Sequence, residues 1–144
     1  MLALDVGLLR EVLRASEECV HRYEEEGGVI LENAGKYAFV KVKNKHENTQ
    51  EAIALYETDL SELQEKVFLK LSEGWKMFAS FHTHPSFSPT PSQLDLAKLF
   101  QGFKYNVIYA KNVDRFSFSE WIQDVSCPVY VPRATIRAHI NNVS

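Results

Sequence analysis

The sequence predicts an α+β domain, residues 1–144, in which a sheet is flanked by about three helices. The chain has 144 residues, of which 45% are hydrophobic and 24% charged, and this composition suits one compact core. Several short apolar runs have the length and composition of strands. Between them lie stretches whose apolar residues recur at helical spacing, so strands and helices are interspersed along the chain.

The first half of the chain predicts a helix followed by a hairpin. Residues 6–23 form an amphipathic helical pattern, which Gly27 and Gly28 are expected to end. Residues 28–32 and 37–43 are interpreted as antiparallel strands joined by a turn at 33–36. A polar loop over 44–50 and a third short strand over 52–56 follow. The apolar stripe of the first helix comprises Leu9, Val12, Leu13, Val20 and Tyr23.

The second half predicts two further helices and at least three strands. Asp59 is placed to cap a helix over 60–72, and Gly74 to end it. A strand over 75–81 follows, then a helix over 92–101 that buries Leu94, Leu96, Leu99 or Phe100. The remaining elements are strands over 105–110 and 115–121, a strand-like stretch at 129–131 and a closing helix over 134–141. The apolar face of the 60–72 helix comprises Leu60, Leu63, Val67 and Leu71.

Charge and cysteine content argue against several classes of function. A net charge of −3 and a pI of about 5.9 favour neither nucleic acid nor an anionic membrane surface. The sequence has no apolar run near the ~20 residues of a membrane span and no signal-peptide pattern at its start. Cys19 and Cys127 are too few for a disulfide framework. We therefore expect a cytoplasmic protein.

The stretch that begins at His82 has the pattern of a metal site. At the end of a strand, His82 and His84 point to the same side and can offer two imidazole nitrogens to zinc. Pro91 precedes a helix start with Ser92 as N-cap and Asp95 in the capping-box position. The Asp95 carboxylate could instead turn toward the metal. Three protein ligands would then leave a fourth position for water, as in catalytic zinc sites.

Each fragment also has an ordinary structural interpretation. His-Thr-His before a proline fits a surface turn, and Ser-x-x-Asp is a common helix start. The combination of both fragments in this order and spacing favours the metal site. The other histidines, His21, His46 and His139, lack partners at metal-binding spacing and are interpreted as ordinary surface or core residues.

The residues His82-Thr83-His84-Pro85 and Ser92-x-x-Asp95 resemble the motif of the JAMM (JAB1/MPN/Mov34) metalloproteases, and the short chain is similar to small stand-alone prokaryotic members. The resemblance implies the MPN/JAMM fold, a cytidine-deaminase-like curved mixed sheet between helices. It also implies one Zn²⁺ per chain, with His82, His84 and Asp95 as its protein ligands.

The family also requires a glutamate just before a Gly-apolar-apolar strand. Glu25, in Glu25-Glu26-Gly27-Gly28, matches that spacing, while its neighbours Glu24 and Glu26 and the more distant Glu32 stay as alternatives. The resemblance implies that Glu25 passes a proton from the attacking water to the leaving amine. Ser92, besides capping its helix, would donate a hydrogen bond to the developing oxyanion. Thr83 is expected to point away from the histidines and to pack or hydrogen-bond beneath the site.

The resemblance implies a substrate as well: the amide bond after the C-terminus of ubiquitin or a ubiquitin-like protein, in a conjugate or a precursor. Prokaryotic members process ubiquitin-like modifiers or sulfur carriers, some in antiviral operons. In the family, the segment before the metal strand often holds the partner, and here it is the helix near residues 58–72. Its apolar face is expected to be core, and a partner surface would require an exposed Phe68 or Leu69.

Three alternatives stay open from the sequence. The first is the same chemistry on a small amide or sulfur-carrier substrate. The second is a non-catalytic MPN scaffold that binds a partner. The third is a thiol enzyme that uses Cys127 or Cys19 with a histidine, although neither cysteine lies in a recognisable motif.

Overall fold

A computed structural model describes residues 5–99, 102–123 and 125–143 of the chain. Its long elements are, in chain order, α1 (Val6–Glu18), β1 (Gly27–Asn33), β2 (Lys36–Val42), α2 (Leu60–Ser72), β3 (Lys76–His84), β4 (Tyr105–Ala110), β5 (Arg115–Ile122), β6 (Val125–Pro132) and α3 (Arg133–Val143). Short helical turns lie at Gln50–Ile53, Asp95–Leu99 and Lys111–Val113. In the described part of the chain, no helix has both the length and the apolar character needed to cross a membrane.

The described strands form one six-stranded mixed sheet in the order β2-β1-β3-β4-β5-β6. β3 and β4 are parallel, and the other neighbouring pairs are antiparallel. A parallel pair needs a crossover connection, and the segment after His84 supplies it. The α+β fold class, with a sheet flanked by helices, is therefore confirmed.

The two faces of the sheet carry different cores. On one face, α1 and α3 cover a large cluster that includes Leu9, Phe81 and Ile136. On the other face, α2 covers a smaller cluster that includes Val29 and Val67. Because side chains alternate along a strand, β3 presents Phe81 to the first face and His82 to the second.

The first helix is shorter than predicted, because α1 ends at Glu18 rather than near residue 23. Side chains bond the backbone of the segment that follows: the Glu26 carboxylate accepts the His21 N–H at 2.5 Å, and His21 Nδ1 accepts the N–H groups of Tyr23 and Glu24. Such local bonds compete with helix propagation. Val20 and Tyr23, predicted to lie on the apolar stripe, are instead 72% and 63% exposed.

Gly27, expected to break that helix, lies inside β1, together with Gly28, which was already predicted to lie in this strand. Gly27 pairs with His82 across β1 and β3. A Cβ atom at Gly27 would lie 2.1 Å from the Phe81 carbonyl oxygen, so only glycine permits this close approach. Gly27 thus brings the start of β1 against the end of the strand that carries the histidines.

The prediction of a third short strand over residues 52–56 is also wrong. Gln50–Ile53 forms a 3₁₀ turn, and the residues after it are irregular. The Glu25 N–H donates to the Ala52 carbonyl at 2.7 Å, and the buried Tyr56 hydroxyl donates to the Val42 carbonyl at 2.8 Å. The apolar run therefore wraps around the ends of β1 and β2 rather than extending the sheet.

The other elements agree with the sequence to within a few residues. Asp59 caps α2 by accepting the Glu62 N–H at 3.0 Å. Only part of the predicted apolar face of α2 is core, because Leu60 and Leu71 are 68% and 44% exposed. The predicted helix over 92–101 is helical from residue 93 and contains a π-helix, Asp95–Leu99. Leu99 is buried and Leu96 partly buried, whereas Leu94 is 43% exposed, contrary to the prediction. Phe100 and residue 101 lie outside the described residues.

Candidate metal centre

The end of β3 places both histidines of the motif on one face of the sheet. His82 and His84 are buried, and their ring centroids are 5.1 Å apart. Thr83, between them, points to the other face, where its hydroxyl accepts the Glu26 N–H at 3.1 Å. The Thr83 N–H in turn donates to the Glu26 carbonyl at 2.8 Å. The expected position of Thr83 is therefore confirmed, and it ties β3 to the segment that precedes β1.

The short helix after the crossover loop brings Asp95 against both histidines. Asp95 Oδ1 lies 3.1 Å from His82 Nε2, and Oδ2 lies 3.0 Å from His84 Nε2. Asp95 also forms the capping box, because Ser92 N donates to Oδ2 at 2.9 Å and Asp95 N donates to Ser92 Oγ at 3.0 Å. The sequence interpretation treated capping and a turn of the carboxylate toward the histidines as alternatives, whereas Asp95 both caps the helix and approaches His82 and His84.

Among the glutamates considered, the structure brings Glu25 to the histidines. Glu25 is 5% exposed, and its Oε1 lies 3.9 Å from His82 Nε2. The other glutamates have partners elsewhere: Glu24 accepts the Asn48 N–H, Glu26 pairs with Lys41, and Glu32 accepts the Gly35 N–H. Within the described ranges, the cluster therefore contains Glu25 and not its neighbours.

Four side chains can together hold a metal ion. Each of Glu25, His82, His84 and Asp95 offers one ligand atom, and these four atoms all lie within 4.8 Å of one another. Three buried atoms in the cluster, Glu25 Oε1, His82 Nε2 and Asp95 Oδ1, have no hydrogen-bond partner among the described residues. Buried polar atoms are normally satisfied, so this gap fits a cation bound between them. The donor set, two imidazoles and carboxylates, is one that zinc accepts.

Burial and neighbouring charge shift the pKa values of the two acids in opposite directions. Burial raises the pKa of Glu25 to about 7, an effect that Asp95 reinforces and the two histidines oppose. Burial also disfavours ionised Asp95, but His82 and the hydrogen bonds from His84 and Ser92 N hold its pKa well below the usual range. One acid is thus fixed as a carboxylate, and the other can exchange a proton near neutral pH.

A cleft leads from solvent to the cluster. It has a volume of about 400 Å³ and reaches Glu25 and His84 at its inner end. Ser92 is part of the cleft wall. Its hydroxyl, which accepts the Asp95 N–H as a helix cap, therefore lies at the edge of the site. The remaining wall residues are small or uncharged: Ile53, Ala54, Pro85, Ser86, Ser88 and Thr90.

Tyr56 is a site residue that the sequence interpretation missed. It is fully buried, and its ring is nearly parallel to that of His82, at an angle of 11° and a centroid distance of 5.9 Å. Its backbone N–H also lies near the Glu25 carboxylate and opposes the rise in the pKa of that group. The sequence signal was an aromatic residue in an apolar run, which was interpreted as part of a strand.

The cysteines and the other histidines stand apart from the cluster. Cys19 is buried, and burial raises its pKa to about 12, which suppresses the thiolate. Cys127 is exposed on β6. His46 lies between two carboxylates, 3.0 Å from Glu51 and 2.8 Å from Glu57. These surroundings give no support to a thiol enzyme.

Comparisons with known proteins concern the family and the fold of the chain. The sequence profile of the family described as prokaryotic homologs of the JAB domain matches residues 7–123. No curated protein matches the chain. The solution structure of a Desulfitobacterium hafniense protein is similar, with a TM-score of 0.57, 18% identity and 84% of each chain covered. A crystal structure of a JAB1/MPN domain protein from Archaeoglobus fulgidus has a TM-score of 0.46 and 18% identity, covering 88% of this chain and 90% of that one.

Proposed function

Because the chain belongs to the family of prokaryotic homologs of the JAB domain, we propose that it is a zinc-dependent metallopeptidase. Its substrate is the amide bond after the C-terminus of ubiquitin or a ubiquitin-like protein, in a conjugate or a precursor. The observation that carries the proposal is the buried cluster of Glu25, His82, His84 and Asp95, which is of the JAMM metallohydrolase type.

In the proposed site, His82, His84 and Asp95 hold one zinc ion. When bound, zinc polarises a carbonyl group and makes a water molecule more acidic. The capping bond from Ser92 N fixes the Asp95 carboxylate, and the Ser88 carbonyl lies 3.0 Å from His84 Nδ1, where it can accept that N–H and orient the ring. The site is therefore pre-organised by the protein on the sides that face away from the metal.

Glu25 is the proposed proton-transfer residue. Its Oε1 faces the histidines and finds no hydrogen-bond partner in the described part of the chain. As a carboxylate, it can accept a proton from water and pass it to the leaving amine. Ser92 Oγ already accepts the Asp95 N–H, which leaves its own O–H to donate to a developing oxyanion at the cleft wall.

The outer side of α2 is the proposed contact for the ubiquitin-like partner. Phe68 and Leu69 are each 69% exposed, which meets the condition set by the sequence. Phe68 and Leu71 also line an apolar groove with Met77 from β3. A patch of large exposed apolar residues on one helix is typical of a protein-binding surface rather than of a surface that contacts only solvent.

Metal analysis tests the proposed centre first. The purified protein should contain about one zinc per chain, and a His82→Ala/His84→Ala double variant should contain almost none. His139→Ala, which removes an exposed histidine of α3, is the control and should retain the metal. A wild-type protein that neither contains zinc nor takes it up when zinc is added would contradict the metallopeptidase and favour the scaffold.

Cleavage assays test the substrate class. Ubiquitin and a panel of ubiquitin-like proteins, each fused through its C-terminus to a reporter, should include at least one fusion that the zinc-loaded protein cuts at the junction. Phe68→Ser should then raise KM about tenfold with kcat unchanged, because it removes uniform binding. Val20→Ser, at another exposed apolar position on the described surface, is the matched control. Hydrolysis of small amides but of no fusion would contradict the proposed substrate.

A further inference from the structure

Asn44 is a buried amide that lies outside the metal cluster and is fully hydrogen-bonded. It is 4% exposed and lies where residues 43–45 meet residues 57–59 in an isolated bridge. Its Nδ2 donates to the carbonyls of Glu25 at 3.0 Å and Leu55 at 2.8 Å. Its Oδ1 accepts the N–H groups of His46 at 3.0 Å and Glu57 at 3.3 Å. Two acceptors face the nitrogen and two donors face the oxygen, so the orientation of the amide is unambiguous.

The two carbonyls held by Asn44 both belong to the surroundings of Glu25. One is the main-chain carbonyl of Glu25 itself. The other belongs to the peptide group between Leu55 and Tyr56, and the N–H of that same group lies close enough to the Glu25 carboxylate to lower its pKa, against the effect of burial. The amide of Asn44 therefore fixes the main chain of Glu25 and also the peptide group that faces its side chain.

This double contact matters because Glu25 lies on an irregular segment. Residues 19–26 form neither helix nor strand, and the Glu25 side chain has several rotatable bonds. The bond that Asn44 donates to the Leu55 carbonyl also polarises the attached N–H and strengthens its attraction for the carboxylate. Loss of Asn44 would free the Glu25 carbonyl and the peptide group that faces the carboxylate, whereas the bond from the Glu25 N–H to Ala52 and the contacts that Asp95 makes with His82 and His84 would remain.

We propose that Asn44 is a positioning residue for the proton transfer made by Glu25. The inference rests on the proposed function for its kinetic consequence. The hydrogen bonds from Asn44 to the carbonyls of Glu25 and Leu55 can be tested without any substrate. None of the four hydrogen bonds of Asn44 in the described structure goes to His82, His84 or Asp95, so its role concerns turnover and not metal binding.

The kinetic experiment compares Asn44→Ala with Asn106→Ala on the ubiquitin-like fusion that the wild type cuts fastest. Asn106 is the matched control because it is also a fully buried asparagine that donates to a main-chain carbonyl, that of Phe103 at 3.0 Å. Asn44→Ala should lower kcat about 10- to 100-fold with KM within twofold and zinc content unchanged. Asn106→Ala should leave both constants near wild type. Equal losses in both variants, or an unchanged kcat in Asn44→Ala, would overturn the proposal.

The second readout is hydrogen exchange of the Tyr56 amide, followed by NMR in the zinc-loaded protein. Because Asn44 holds the peptide group that carries this N–H, Asn44→Ala should accelerate the exchange at least 100-fold, whereas Asn106→Ala should not. If Asn44→Ala does not fold, Asn44→Asp preserves the accepting oxygen and the shape, removes both donors, and should give the same result. If no fusion is cut by the wild type, the proposed function fails while this exchange still decides the inference. Unchanged Tyr56 protection would overturn it.

Discussion

Two of the buried polar residues on strand β3, Ser80 and His82, are separated by a single residue but differ in how well they are hydrogen-bonded. The Ser80 hydroxyl donates to Asn106 Oδ1 at 2.5 Å, and Asn106 Nδ2 donates to the Phe103 carbonyl at 3.0 Å. His82, next on the same face, has neither ring nitrogen hydrogen-bonded within the described ranges. Both groups are at most 1% exposed, so burial alone does not distinguish them.

The difference separates a structural pair from a site prepared for a ligand. A buried polar group that is fully bonded contributes to stability, whereas an unsatisfied one costs free energy that a folded protein retains only for a reason. At His82 the unsatisfied atoms of Glu25 and Asp95 converge on the same point. Bound zinc would satisfy the cluster, and nothing comparable is required at Ser80.

The largest effect that this comparison predicts is on turnover. Glu25→Gln preserves the size of the side chain but removes its ability to accept a proton. We expect kcat to fall about 10²- to 10⁴-fold, the usual contribution of a general base, while zinc content stays at one per chain. Steady-state cleavage of a ubiquitin-like fusion, with metal analysis of the same preparation, measures this.

Glu24→Gln is the matched control for that experiment. Glu24 is next to Glu25, but its carboxylate accepts the Asn48 N–H on the surface. Its substitution should leave kcat within about twofold of the wild type. A variant at Glu25 that retained full turnover would show that the proton passes through another group.

The second prediction concerns stability and metal. Since zinc binds the folded protein and satisfies the unpartnered atoms, it should raise the free energy of unfolding by about 4 kcal/mol at 1,000 times its Kd. Urea unfolding with and without zinc measures the increment. Asn106→Ala should show the same increment as wild type, because its site is separate. An equal increment in His82→Ala/His84→Ala would indicate that zinc binds elsewhere.

Much of this molecule could be predicted from local patterns. The alternation along β3 placed His82 and His84 together, and the capping pattern placed Asp95 at the start of a helix. These features depend on residues close in the chain. The choice of Glu25 over its neighbours came from the family pattern, and burial of that one side chain in the structure agrees with it.

Long-range contacts account for what the sequence did not reveal. The run that contains Tyr56 was assigned to a strand because a short apolar segment has no decisive period. Its conformation is set by hydrogen bonds to Glu25 and Val42, far away in the chain. Asn44 was assigned to a loop for the same reason, since its four bonding partners come from separate segments.

A third prediction concerns the stability of the metal-free protein as pH changes. Burial raises the folded-state pKa of Glu25 to about 7 from its ordinary value of 4.5, so the folded state binds this proton more tightly than the unfolded chain does. The stability due to this proton is present below pH 4.5 and is lost as pH rises through 7. Glu25→Gln cannot titrate, and relative to wild type it should gain about 3 kcal/mol between pH 4.5 and pH 8. Urea unfolding of both proteins in chelator, across that pH range, measures the gain; a constant difference would contradict it.

The smallest effect is expected at the satisfied pair. Ser80→Ala removes the hydroxyl donor and leaves Asn106 Oδ1 buried without that bond, which should cost about 1 to 2 kcal/mol of unfolding free energy. Zinc content and turnover should not change, because Ser80 does not contact the cluster. Ser61→Ala, at an exposed position of α2, should change stability by less than about 0.5 kcal/mol. If Ser80→Ala instead lost zinc or turnover while remaining folded, the two polar groups of β3 would belong to one network, and the distinction between structural and functional polarity on this strand would fail.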